Sequence, residues 1–306
     1  MRGVDAFLTG ISATSVRAIC SGLDSIGIKP NRGVNITEDL IDARSLLLTP
    51  NTTTVCGLAC LDLSDGPVAL EVPSGVLGPV DDADFRWVTY VGLTGPAAGK
   101  GGKYLFLPPG HDGKLPTQGC FVQKLRTNTL FYFFRAFVKD CDIAAAVDQM
   151  MQGTKLFHHG ATNGGCASPE AEFFNASGVR FNTISANDFS FFEQLNQVVQ
   201  AEPADWVDPD KVGLFVAIGI RKGQPFAPDD RTKAILTDAM AVGNVTARTI
   251  PFDPRNPDAY SYPDRKRLTA FRQHGQALAM IGEGARGILP ARRRNRLDRL
   301  SFATED

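Results

Sequence analysis

The sequence is poor in the residues and spacings that usually betray a reaction. Its 306 residues include only 4 His and 2 Trp, and its 6 Cys form no C-x-x-C pair. Neither H-E-x-x-H nor H-x3–5-H occurs, so the common zinc spacings are absent. No G-x-S-x-G turn occurs either, which leaves no Ser with the local support of a nucleophile elbow. Long apolar runs are missing: the most apolar stretch, Val212–Ile220, has 9 residues and two Gly, against roughly 20 for a membrane span. The start, MRGVDAFLTG, lacks a continuous apolar h-region, so it reads as no signal peptide and the chain as cytoplasmic. Net charge is −1, which argues against nucleic-acid binding by the whole body.

What is present is globular in kind. Hydrophobic residues make up 43% and charged residues 21%, which excludes wholesale disorder, collagen and coiled coil. The length allows about two domains. The small net charge conceals an asymmetry. Residues 265–306 carry ten Lys/Arg against four Asp/Glu, or +6, while the first 264 carry 22 against 29, or −7. The cysteines read as small core hydrophobes. Cys56 and Cys60 share one face of a strand-like run about 13 Å apart, too far to pair with each other. Disulfides across the fold remain open for an exported chain.

Val4, Phe7, Leu8, Ile11, Val16, Ile19, Cys20 and Leu23 mark one face of a helix that begins almost at Met1. A second helix is expected over Thr37–Leu48, with Thr37 as N-cap and Pro50 as terminator. Strands are expected at 54–63, 68–72, 85–91, 103–107, 120–126 and 130–138. The Ser64-Asp65-Gly66-Pro67 turn signals a hairpin between the first two. About six strands at this spacing suggest an antiparallel sandwich or barrel. The aromatic run FYFFRAF at 131–137 reads as a core strand rather than a stacking platform, because it lacks several interleaved basic residues. Helices return at 142–152, after a Ser190/Glu193 capping box, and after Pro228-Asp229-Asp230. Four prolines make 251–264 an extended arm. The fold class is α+β: a β-rich core over about 50–138, an N-terminal helical lead-in over 1–49, and a mostly helical 139–250.

The remaining motifs weaken on inspection. GPAAGKGGK at 95–103 has the wrong glycine spacing for a phosphate loop and is followed by a strand, so it reads as a flexible connection, with Lys100 and Lys103 available to an anion. Gly282–Gly287 spells G-x-G-x-x-G but leaves no room for a dinucleotide fold. His111, His158, His159 and His274 read as surface or capping residues. Asp81, Asp82 and Asp84 lack the pattern of a calcium loop and read as a solvated, capping turn. The run Arg292-Arg293-Arg294-Asn295-Arg296 suits an anionic partner or a solvated tail.

A longer pattern is more specific. Pro50-Asn51-Thr52-Thr53-Thr54, Leu61-Asp62-Leu63-Ser64, Gly66-Pro67-Val68 and Glu71-Val72-Pro73 lead into Gly101-Gly102-Lys103-Tyr104-Leu105 and Pro108-Pro109-Gly110. With Arg126-Thr127-Asn128 and Gly219-Ile220-x-Lys222-Gly223-x-Pro225-Phe226, these residues resemble the family called domain of unknown function 1254. The resemblance runs over roughly residues 2–264. It implies a β-rich domain, usually followed by a second one, number 1214, in bacterial or fungal proteins that are often exported to the periplasm or beyond. It implies no activity. The sequence departs from the family near Tyr90 and at Ala97-Ala98, where charged residues are expected. Past Arg265 the pattern stops, and the second domain is replaced by a basic tail read as disordered, truncated or out of frame.

Two functions compete. One is a non-catalytic β-rich module for ligand binding or assembly, homo-oligomeric, with a small molecule or glycan as ligand and no cofactor or metal. The other is a hydrolase-type enzyme acting on an envelope or small-molecule substrate through a dispersed polar site. The candidate residues are Asn51, Thr53, Asp62, Arg86, Lys103 and Arg126. A deep pocket gathering three of them favours the enzyme; a filled barrel favours the module.

Overall fold

The computed structural model describes residues 1–42, 44–46, 53–113, 119–158, 171–249, 260–262 and 265–268. The chain opens with helix α1, Arg2–Ser25. Its apolar face is the one the spacing predicts, and small residues widen the buried surface almost all round. At Gly10 an added Cβ would lie 2.9 Å from the Leu195 side chain of the neighbouring helix, which would have to shift to admit it. By length and composition α1 also passes for a signal sequence or a membrane span, but 78% of its most apolar window is buried inside the protein. It is a core helix.

Strands β1 (Gly33–Ile36), β2 (Ser45–Leu46), β3 (Thr54–Asp62), β4 (Val68–Val72) and β5 (Leu77–Asp82) follow. Next come β6 (Trp87–Gly92), β7 (Gly102–Leu107), β8 (Phe121–Lys124) and β9 (Thr129–Phe137). Helix α2 (Ile143–Gly153) leads to β10 (Lys155–His158), β11 (Glu172–Asn175) and β12 (Phe181–Asn182). Helices α3 (Ser190–Ala201), α4 (Pro209–Val216) and α5 (Asp230–Thr249) precede a small hairpin, β13 (Tyr260–Tyr262) with β14 (Arg265–Leu268).

A six-stranded sheet ordered β11-β1-β3-β9-β5-β6 faces a four-stranded sheet ordered β10-β4-β7-β8. Alternation decides what lies between them. On β9, Leu130, Tyr132, Phe134 and Ala136 point into the interior; on β3, Val55, Ala59 and Leu61 join them; Val68, Leu70, Val72, Tyr104 and Phe106 come from the facing sheet. All are buried, so the sandwich is filled by side chains. Helix α2 closes one end with Ala146, Val147 and Met150. The opposite face of the six-stranded sheet is half covered. There Val16, Ile19, Cys20 and Leu23 of α1 pack on Leu58, Cys60 and Phe131. Helices α3, α4 and α5 then pack around α1 through Phe7, Ile11, Phe191, Phe192, Trp206 and Phe215. The result is three layers: helices, sheet, sheet.

Several expectations change. No helix occupies the described residues from Thr37 onward to Leu46; the Thr37 hydroxyl bonds the Cys56 carbonyl, tying the segment to β3 instead of capping a helix. The Ser64–Pro67 turn does not make a hairpin: β3 pairs with β1 and β9, β4 with β7 and β10, so the turn crosses from one sheet to the other. The start of α3 has no Ser190/Glu193 box: Phe189 is the N-cap, and Asp188 before it accepts from the Ser190 amide and hydroxyl. The 95–101 connection is a series of turns with Gly95, Ala98, Gly99 and Lys100 amides bonded to nearby carbonyls, not a flexible loop. Two cysteines are not plain core hydrophobes: Cys20 and Cys60 form a disulfide between α1 and β3, with Cα atoms 5.7 Å apart. Such a bond suggests an oxidising compartment, in keeping with the export that the resemblance allows. Residues 47–52, the G-x-G-x-x-G match and the Arg292–Arg296 run lie outside the described residues.

Candidate functional site

The six candidate residues do not converge. Asn51 lies outside the described residues. Thr53 is exposed just before β3, at the opposite end of the strand from Asp62. Lys103 stands on the outer face of the four-stranded sheet, its ammonium 4.6 Å from the Phe157 ring centroid. Asp62 caps a turn: its Oδ1 accepts from the amide and hydroxyl of Ser64, while its backbone exchanges bonds with Asn31.

Arg86 and Arg126 do come together, on a segment no local spacing pointed to. Arg86 donates from Nε to Asp82 Oδ2 (2.6 Å) and from Nη2 to the Trp206 carbonyl (2.6 Å). Arg126 donates to the Asp205 carbonyl (3.0 Å) and to Asp208 Oδ1 (3.3 Å). Lys211 Nζ reaches Asp84 Oδ2 at 3.0 Å, with the Asp84 side chain only 2% exposed. Glu202 is buried and accepts from the amides of Asn128 (2.6 Å) and Thr129 (3.1 Å). These contacts join the sheet end to the helical layer. Burial opposes the Arg86 charge, but Asp82, Asp84 and Asp208 outweigh it and raise its pKa. Burial pushes the Glu202 carboxyl up, against the pull of the Thr129 and Asn128 donors. Asp81, Asp82 and Asp84 are therefore not a solvated turn: all three are buried. The capping half of that expectation stands, since Asp82 Oδ1 accepts from the Asp84 and Arg86 amides. Among the described residues no group of three or more His, Cys, Asp or Glu is placed to hold a metal.

A second surface went unread in the sequence. On β9, Phe133, Arg135 and Phe137 point away from the interior, Phe133 packing against the edge of the cluster that α1 makes on this face. The register Leu77↔Arg135 and Val80↔Tyr132 sets Leu77 and Pro79 of β5 beside them. The next strand, β6, carries a bulge opposite Val80/Asp81, and this brings Trp87 and Tyr90 close despite their three-residue spacing, with ring centroids 5.5 Å apart. Arg135 lies over the Phe133 ring at 4.7 Å. Trp87 is 39% and Phe137 43% exposed, while Leu77, Pro79, Tyr90, Phe133 and Arg135 are half-buried. The alternation of 133, 135 and 137 was visible; the bulge was not.

The geometry can be set beside known proteins. Residues 31–157 match the family described as protein of unknown function (DUF1254). The matched segment begins before β1 and ends in β10, so it spans most of both sheets and leaves out α1 and α3–α5. The crystal structure of the VPA0106 protein from Vibrio parahaemolyticus is similar, with a TM-score of 0.59 and 15% identity. The match covers 94% of this chain and 65% of that one, so the chain spans about two-thirds of that protein's length. The likeness is one of fold, and it extends over the helices as well as the DUF1254-matching sheets. No curated protein matches the chain.

Proposed function

We propose that the protein is a non-catalytic, ligand-binding module of an oxidising compartment. One observation carries this reading: the charged residues suited to a dispersed catalytic site are engaged in structure. Arg86 and Arg126 clamp the 205–208 segment, and Asp62 holds a turn. The sandwich interior is filled by apolar and aromatic side chains rather than shaped around a polar site. The half-covered face of the six-stranded sheet remains as the place for a ligand. The Cys20–Cys60 bond supports export to the periplasm or the cell exterior.

Incubating the purified protein with chromogenic esters, phosphoesters and glycosides tests the non-catalytic half, with no turnover above buffer expected. Thermal-shift titration against small molecules and oligosaccharides tests the binding half, since a ligand of the native state raises Tm with concentration. Saturable turnover of any of these substrates would refute the reading.

A further inference from the structure

Four N-x-S/T triplets occur in the chain: Asn35-Ile36-Thr37, Asn51-Thr52-Thr53, Asn175-Ala176-Ser177 and Asn244-Val245-Thr246. This is the acceptor pattern for N-linked glycans, which belong on the surface of a secreted protein. The fold places two of them where no glycan can stand. We infer that the protein folds in a compartment without N-glycosylation, so that its oxidising compartment is reached by bacterial-type export and not through the endoplasmic reticulum. This rests on the oxidising compartment proposed above and adds the route to it.

Asn35 carries most of the argument. It is 0% exposed, in strand β1 between β11 and β3. Its Oδ1 accepts from the Ala176 amide (3.1 Å), and its Nδ2, the atom that would bear the sugar, is buried. Thr37, the third residue of the triplet, is buried too, its hydroxyl bonded to the Cys56 carbonyl of β3. Transfer would join Nδ2 to the anomeric carbon of a lipid-diphosphate oligosaccharide, releasing the lipid diphosphate and one amide proton. A sugar so placed has no path to solvent unless β1 parts from its neighbours. Asn244 is 8% exposed in α5 and donates from Nδ2 to Asn187 Oδ1. A glycan there would break that bond and wedge α5 away from Asn187. Asn175 differs: it is exposed at the end of the edge strand β11, where a glycan would reach solvent. Asn51 lies outside the described residues.

Fast burial does not protect Asn35. Its cover is β11 and the residue after it, and Ala176 stands 141 positions beyond Asn35. At about 5–20 residues per second, synthesis of that stretch takes roughly 7–30 s. Until then nothing covers β1 on its β11 side, so a transferase in the same compartment meets the triplet open. Glycosylation would precede burial, and a bulky, solvated sugar on β1 would block the pairing.

The test expresses the full chain by two routes, behind a bacterial periplasmic leader and behind a yeast secretion leader. The periplasmic product should be folded, with Cys20 and Cys60 joined in non-reducing peptide maps. The yeast product should carry glycan at Asn35 or Asn244, removable by peptide N-glycosidase, and should be retained in the cell. Thr37→Val with Thr246→Val removes both buried triplets, whereas Thr37→Ser with Thr246→Ser keeps them. Because the Thr37 and Thr246 hydroxyls bond the Cys56 and Val242 carbonyls, both pairs are first shown to fold in the periplasm. The Val pair should then be secreted folded from yeast and the Ser pair retained. Secretion of the unaltered chain in folded form overturns the inference. So does retention with Asn35 and Asn244 both unmodified, or retention of a Val pair that folds in the periplasm. Free Cys20 and Cys60 thiols in the folded periplasmic product would instead remove the ground for an oxidising compartment, and the yeast arm would still decide the glycosylation.

Discussion

The Arg86 guanidinium spans two layers of the protein, holding Asp82 beside its own strand and the backbone carbonyl of Trp206, 120 residues further on. One planar fork bridges an acid and a carbonyl that a single ammonium cannot hold together. Arg86→Lys should therefore lose most of the bridge, and Arg86→Ala all of it, leaving the largely buried Asp82 carboxylate short of its partner. With the arginine side chain 30% exposed, solvent softens the loss, and about 2–3 kcal/mol is expected for the Ala variant. Urea titration followed by tryptophan fluorescence measures it. A change within about 0.5 kcal/mol would show that the apolar helical contacts hold the layers unaided.

Glu202 makes the second tie, with one carboxylate oxygen on the Asn128 amide and the other on the Thr129 amide. Glu202→Gln removes a charge that burial disfavours, yet it should destabilise. The amide group has one accepting oxygen, so its NH2 would be left facing a backbone N–H. The expected cost is about 1–3 kcal/mol for the unsatisfied donor. Chemical denaturation of the variant checks this; equal or greater stability would mean that the desolvation of the charge outweighs both bonds.

These ties also show where sequence reasoning reached its limit. The alternation of Val68, Leu70 and Val72 and the face of α1 are local patterns, and they yield the α+β class and most of the strands. β5 is not among the expected strands, and its Gly78-Pro79 pair is unusual inside a strand. In the sheet, Gly78 is needed where a Cβ would lie 2.0 Å from the Phe133 carbonyl oxygen. Thr37 has the composition of an N-cap, but its hydroxyl is committed to the Cys56 carbonyl. Arg86 and Arg126 stand in the sequence as isolated charges, and the structure commits both to contacts with the 205–208 segment. Their partners at 205–208 come from tertiary packing, which no spacing encodes.

The acid side of the stability curve should depend on two carboxylates at helix starts. Hydrogen bonds from the Ser190 hydroxyl and amide hold Asp188 below the usual carboxylate range, and the hydroxyl and amide of Thr232 do the same for Asp229. A depressed pKa means that each carboxylate stabilises the fold above its unfolded pKa. The contribution is lost as pH falls through the lower folded value. Glu202 runs the other way, because its raised pKa gives stability that is present at low pH and lost as pH rises through the folded value. Asp188→Asn and Asp229→Asn should therefore flatten the fall in Tm between neutral pH and about pH 2. Thermal melts across that range provide the comparison. An unchanged slope in both variants would show that these two carboxylates do not set the acid sensitivity.

The Cys20–Cys60 bond closes a loop of 40 residues and fastens α1 to the sheet it covers. On chain-entropy grounds a loop of this length contributes up to about 4 kcal/mol by restricting the unfolded chain. Reduction, or Cys60→Ser, should thus lower Tm markedly and release α1 first, since Ile19 and Leu23 pack beside the bond. The free thiols provide an internal clock for that event. Cys141 is exposed, whereas Cys56 is buried and its pKa is raised by burial. A thiol reagent should label Cys141 at once in the native protein and reach Cys56 only on unfolding. Reduction without denaturant should speed Cys56 labelling if the helical layer opens with α1. Labelling of Cys56 that stays slow after full reduction would show that α1 keeps its place by packing alone.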